Sequence, residues 1–191
     1  MKTETKTDDA RVRAILTAAL KTFAQYGYRK TSMEDLARAA GMSRPALYQH
    51  FRNKEDVACN LVRGYFSETV GKVRAALSEP GSPEQVLERA FRAKLDGMDE
   101  LLKSPHGEEL LALGHAVSAG DVAEGMACLE QGFADWLQAQ EQIGAVRFEG
   151  AALDVARVIV ATLDGIKKPP FDRLEEDLVQ LAKLIGRGLA C

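Results

Sequence analysis

The segment from Thr31 to Lys54, T-S-M-E-D-L-A-R-A-A-G-M-S-R-P-A-L-Y-Q-H-F-R-N-K, constrains the fold more than any other part of the chain. It predicts two short helices joined by a tight turn. Thr31 can cap the first helix, with Glu34 reaching back from three residues on to close a capping box. Met33, Leu36, Ala37 and Ala40 recur at helical spacing on one face. Gly41 fits a helix stop, because glycine enters the left-handed region without steric cost. Ser43 can cap the second helix, and Pro45 lies in its first turn, where a missing N–H breaks no helical bond. Ala46, Leu47 and Phe51 then face inward, which leaves Arg44, Pro45, Tyr48, Gln49 and Arg52 facing out.

Those outward side chains suit a helix laid in a DNA groove. Arg44 can donate two hydrogen bonds to a guanine edge, Gln49 can address adenine, and the Pro45 ring can touch a thymine methyl. Tyr48, His50 and Lys54 are placed for phosphate oxygens, contacts that fix register without reading sequence. A surface αα-hairpin with a polar face would have the same helical spacing. The crowding of arginine, proline, tyrosine and histidine on one short helix, in a basic region, favours the DNA reading.

The span from Phe23 to Val57 resembles the N-terminal domain of TetR-family transcriptional regulators. The shared stretches are F-A-Q-Y-G-Y-R-K-T-S-M-E-D-L-A-R-A-A-G-M-S and L-Y-Q-H-F-R-N-K-E-D-V. The resemblance implies phosphate contacts at Tyr48, His50 and Lys54, base reading at Arg44, Pro45 and Gln49, and backbone contacts at Thr31 and Ser32. Ser43, at the start of the second helix, joins this set. Beyond Val57 the likeness is one of helix pattern alone, so it implies no effector residues.

The net charge of −3 hides an asymmetry. Residues 1–65 carry 12 Lys/Arg against 7 Asp/Glu, net +5, and residues 66–191 carry 13 against 21, net −8. A basic head on an acidic body fits a head that meets a polyanion. The three cysteines, Cys59, Cys128 and Cys191, are far apart and form no C-x-x-C, so they imply neither a disulfide framework nor a zinc site. No run approaches the roughly 18 apolar residues of a membrane span, and M-K-T-E-T-K-T-D-D-A lacks the apolar core of a signal peptide. The expectation is a cytoplasmic protein with no metal or cofactor, beginning in a short disordered arm that holds Lys2 and Lys6.

Caps and stripes predict an all-α chain of about nine helices: a three-helix head over residues 1–53, then an effector-binding and dimerisation bundle over 54–191. Asp8 or Asp9 can cap the first helix, and Gly27 ends it. Asn53 can cap a fourth helix to about Ser78, the natural link between head and body. Ser82, Pro83 and Gln85 read as cap, first position and box partner of a fifth helix ending at Ser104–Pro105. A short helix to about Gly120 follows, then helices opened by Asp121, near Ala151, and by Asp172.

Within the body, Phe66, Phe91, Met98, Met126, Phe133 and Trp136, with His115, are candidates to line a pocket for an apolar effector. The same residue types fill ordinary helical cores. His106 and His115 have no Asp, Glu or Cys at a metal-ligand spacing. The eighth helix (Ala152, Val155, Ala156, Ile159, Val160, Leu163) and the ninth (Leu178, Leu181, Ile185) are apolar over too wide an arc for a solvated face. They fit a homodimer surface or burial within one subunit. The TetR resemblance implies the dimer, a palindromic double-stranded operator, a small effector that releases it, and a role as repressor. An enzyme is not expected, since no G-x-G-x-x-G, Walker loop, G-x-S-x-G, H-E-x-x-H or Cys–His pattern occurs. Capping and surface charge account for the carboxylates at Asp121 and Asp164.

Overall fold

The computed structural model describes residues 2–167 and 171–190, and of residues 2–8, Asp99 and His115 it describes the backbone. Among the described residues the fold is all-α, as expected. Ten α-helices run in order: α1 (Lys2–Tyr26), α2 (Met33–Ala39), α3 (Arg44–His50), α4 (Lys54–Ser78), α5 (Pro83–Leu95), α6 (Met98–Leu102), α7 (Gly107–Val117), α8 (Ala119–Gln142), α9 (Ala152–Gly165) and α10 (Leu174–Leu189). One turn of 3₁₀ helix, Phe171–Arg173, precedes α10, and an isolated antiparallel bridge joins Val146 to Ala190. No described helix is long and apolar enough to cross a membrane.

Several boundaries differ from the expected ones for local reasons. α1 starts at Lys2, so the N-terminal segment is helical rather than a disordered arm, and neither Asp8 nor Asp9 caps it. No glycine or proline interrupts residues 2–26 to stop it. The fifth helix divides into α5 and α6 because Gly97, at φ +73°, leaves the helical region. Gly120 lies inside α8, with only Ser118 between α7 and α8. α10 opens after the 3₁₀ turn, with no side-chain cap from Asp172. The caps at Ser43, Asn53 and Ser82 stand as expected: Ser43 Oγ accepts from the Ala46 amide at 3.3 Å, Asn53 Oδ1 from Asp56 at 2.8 Å, and Ser82 forms a full box with Gln85.

Two compact units divide the chain. The described residues up to Tyr65 form one with Glu100–Val122, and Phe66–Asp99 form the other with the residues from Ala123 on. The first is built on a core of Ile15, Ala19, Phe23, Met33, Leu36, Ala37, Leu47, Phe51 and Val57. These come from α1, α2, α3, the residue after α3 and the first turn of α4, so the short α2 and α3 are held by what they bury rather than by their own length. α7 packs on α1, where the His106 amide donates to the Ala24 carbonyl at 3.1 Å.

The second unit is centred on Leu87, Phe91, Leu129, Phe133, Leu137, Ile159 and Leu163, all fully buried. α10 lies along α5, with Arg187 Nε 2.8 Å from Glu84 Oε1. Gly186 makes that approach possible: a Cβ there would sit 2.7 Å from the backbone N and Cα of Glu84. Backbone at the start of a capped helix cannot give way cheaply. Gly186→Ala should therefore destabilise the chain by about 1–3 kcal/mol, seen as a lower denaturant midpoint at unchanged slope. A midpoint equal to wild type would mean that α10 does not sit this close to α5.

Candidate nucleic-acid interface

The turn between α2 and α3 fixes the angle at which α3 is presented. Gly41 takes φ +66°, and the Met42 amide reaches back to the Ala37 carbonyl at 2.9 Å, closing the end of α2 in a Schellman arrangement. Ser43 then caps α3, Pro45 occupies its first turn, and Leu47 is fully buried as its anchor. Arg44, Pro45, Tyr48 and Gln49 all stand on the exposed side, with His50 half-buried. The Arg44 guanidinium lies 5.6 Å from the Tyr48 ring centre, and its hydrogen bond with Tyr48 raises its already high pKa. Arg44 therefore stays charged, as a guanine-edge donor must.

The start of α2 differs from the expected cap. Ser32, not Thr31, is the N-cap: its Oγ accepts from the Asp35 amide at 3.2 Å, while its own N–H and hydroxyl donate to Asp35 Oδ2 at 3.0 and 2.6 Å. These bonds hold the Asp35 carboxyl below its ordinary pKa. Thr31 is 3% exposed and donates its hydroxyl to the Gly27 carbonyl at 2.8 Å. T-S-M-E-D offers two boxes one residue apart, and burial of Thr31 selects the second.

Lys54, the first residue of α4, points back across the head. Its Nζ donates to the carbonyls of Tyr28 at 2.7 Å, Thr31 at 2.8 Å and Arg29 at 3.4 Å, and sits 4.4 Å from the Tyr28 ring centre. Tyr28 in turn packs on Phe23, ring centres 5.2 Å apart. Sequence reading missed this set, because no local pattern announces a lysine that reaches carbonyls more than twenty residues earlier.

The family model described as bacterial regulatory proteins, tetR family, matches residues 15–58. Residues 15–58 thus form a tetR-family domain. The match covers the TetR head from the core face of α1 into the first turn of α4. The HTH-type transcriptional activator FasR of Mycolicibacterium smegmatis is 34% identical over 88 residues, 46% of this chain and 40% of that one. The repressor KstR2 of Mycobacterium tuberculosis is 29% identical over 85 residues, 44% and 42% of the two chains. The matched stretch thus spans less than half the length of these curated relatives. Across nearly the whole chain, 95% of it and 92% of the other, the fold matches the triclosan complex of SmeT, the repressor of a Stenotrophomonas maltophilia efflux pump, with a TM-score of 0.67 at 20% identity.

The remaining candidates fall in different surroundings. Phe91 and Phe133 are fully buried against each other, ring centres 6.0 Å apart, and Met98 is buried too. Phe66 is half-buried, its ring lying where a Cβ on Gly125 would be, and Met126 is half-buried. Trp136 lines an open groove of about 640 Å³ with Leu77, Val86, Ala139 and Ile143. The His115 side chain lies outside the described residues. His106 Nδ1 is 3.0 Å from Glu109 Oε2. Of the residues first assigned to a dimer surface, Ala152, Ala156, Ile159, Val160, Leu163 and Leu178 are buried by their own chain, and Val155, Leu181 and Ile185 are half-buried. The large apolar side chains that α9 and α10 do expose are Val158, at 65%, and Leu184, at 73%.

Proposed function

We propose that the chain is a ligand-responsive transcriptional repressor that binds a palindromic operator as a homodimer and is released by a small, largely apolar effector. The observation that carries this reading is the exposed edge of α3. Arg44, Pro45, Tyr48 and Gln49 stand outward on a helix whose cap, turn and buried Leu47 leave it one orientation. A rigid, short, polar helix of this kind enters the major groove by its N-terminal residues. Tyr48 and His50 are the phosphate side of the same face, and the head over residues 1–53 is the DNA-binding part.

One such helix reads few base pairs, and a two-fold pair of heads doubles the site with half-sites about 34–36 Å apart. Val158 and Leu184, flanked by Val155, Leu181 and Ile185, support a self-complementary contact through α9 and α10. The effector belongs to residues 54–191. There the aromatic and methionine side chains of α4, α5 and α8 offer apolar lining, and SmeT, of like fold, is seen with triclosan. α4 begins at the head and is unbroken to Ser78. An effector that binds one position of α4 more tightly than another changes the spacing of the heads, and only such unequal affinity shifts the equilibrium. Repression is favoured over activation by the KstR2 likeness, and FasR marks the other outcome.

Arg44→Ala tests the base-reading role. It should cost about 1–3 kcal/mol on the operator and relax the preference at one base pair in each half-site, with little change on random DNA. An equal loss on both DNAs would make Arg44 a phosphate contact and remove the carrying observation.

A further inference from the structure

Lys54 bears charge in a place where charge alone does not explain it. A lysine in the first turn of a helix faces the positive end of the helix dipole, which disfavours it. The ammonium has three N–H donors and no acceptor. All three have carbonyl oxygens in reach: Tyr28 at 2.7 Å, Thr31 at 2.8 Å and Arg29 at 3.4 Å. These carbonyls belong to the loop between α1 and α2, outside helical hydrogen bonding, and that of Tyr28 also accepts the Thr31 amide at 3.3 Å. The Tyr28 ring closes a further side of the ammonium at 4.4 Å. Burial lowers the Lys54 pKa below the usual lysine range, in keeping with a seat inside the head.

The same loop is held from within by two other side chains, Thr31 on the Gly27 carbonyl and Ser32 on the Asp35 amide. Lys54 ties it to α4. The loop sets where α2 begins, and α2, through Gly41 and Ser43, sets where α3 points.

We propose that Lys54 is a positioning residue for DNA binding. Its ammonium clamps the α1–α2 loop to the start of α4 and thereby orients α2 and α3, instead of binding a phosphate. A phosphate oxygen would compete with these carbonyls for its three N–H donors. The clamp rests on the DNA-binding reading for its purpose, but its structural half is measurable without DNA.

The test compares the full wild-type chain with Lys54→Arg and Lys54→Met. Methionine keeps the apolar stem and removes the donors. Arginine keeps the charge, but its planar fork cannot converge on three carbonyls around one point. Amide hydrogen exchange is followed in the free proteins over residues 28–32, with residues 174–189 as the internal reference. Binding to the duplex upstream of the protein's own gene is then titrated in salt.

Both variants should raise exchange over 28–32 by about tenfold or more while the reference is unchanged. Both should bind the duplex about tenfold more weakly, and the salt slope of Lys54→Met should stay within about half a unit of wild type. Unchanged exchange in both variants, with arginine restoring affinity and methionine flattening the slope by about 0.9 per head, would overturn the clamp. So would exchange that rises equally in the reference, since the effect would then be global unfolding. If wild type binds no DNA, the DNA reading fails by itself, and the exchange arm still decides the clamp.

Discussion

Operator binding should weaken about a thousandfold when salt rises from about 50 to about 200 mM, the loss expected for roughly six phosphate contacts that release their counterions. The contacts come from the head. Arg29, Lys30 and Arg52 are exposed there, alongside Tyr48, whereas residues 66–191 are net −8 and repel a polyanion. Two heads with about three phosphate partners each give a slope steep enough for that loss. Lys54, whose donors face loop carbonyls, contributes little to it. A filter-binding or fluorescence titration at four salt concentrations measures the slope. A loss below about tenfold over this range would mean fewer than about two contacts for the whole assembly, too few for a dimer docked through both α3 helices.

Asp164→Ala should cost the chain about 3–5 kcal/mol of stability at neutral pH, because it removes the carboxylate that holds a buried ammonium. The Lys94 side chain on α5 is 2% exposed, and its Nζ lies 2.8 Å from Asp164 Oδ1 on α9. Lys167 reaches the same oxygen at 2.6 Å. Burial, with the charge of Lys167 second, lowers the Lys94 pKa from 10.5 to about 8. The carboxyl of Asp164 is lowered; burial opposes that shift, and the two ammonium groups more than offset it.

For Lys94 the folded pKa is below the unfolded one, so ionisation there costs stability. That cost is complete below about 8 and is relieved as pH rises toward 10.5. In Asp164→Ala the Lys94 pKa falls further, and part of the loss should be recovered between pH 7 and 9. Urea unfolding of both proteins at pH 7 and pH 9 checks this. A deficit under about 1 kcal/mol, or one equal at both pH values, would contradict the account.

The sequence made the head legible because its determinants are local. Ser43, Asn53 and Ser82 lie at fixed offsets from the amides they cap, and Gly41 marks a turn that the backbone itself requires. The tie between Thr31 and Ser32 was local too, but its resolution was not. Both have an acid three residues on, and only packing of the Thr31 hydroxyl onto Gly27 decides. The Asp96–Gly97 break was hidden because the stripe of Leu95, Met98 and Leu102 keeps its period across it.

Outside the head, contacts between distant residues decide, and no spacing announces them. Lys54 reads in the sequence as a phosphate contact, and the carbonyls that its ammonium reaches lie 23 to 26 residues earlier. The wide apolar arc of α9 allowed a dimer face or an internal one. Ala156, Val160 and Leu163 are covered by their own chain, and Val158 stands out to solvent. Lys94 within the α5 stripe gave no sign of burial, since its partner Asp164 is 70 residues away. Gly186 read as one more small residue in α10, yet it permits the approach to Glu84.

On this reading α3 reads DNA sequence from the exposed edge of the head. The decisive experiment titrates the full chain against the duplex upstream of its own gene and against random duplex of equal length, beside Tyr48→Ala. Wild type should prefer the upstream duplex by about a thousandfold or more. Tyr48→Ala, stripped of a phosphate anchor next to the base-reading residues, should bind both duplexes more weakly. Equal binding of wild type to the two duplexes, left unchanged by Tyr48→Ala, would contradict this reading.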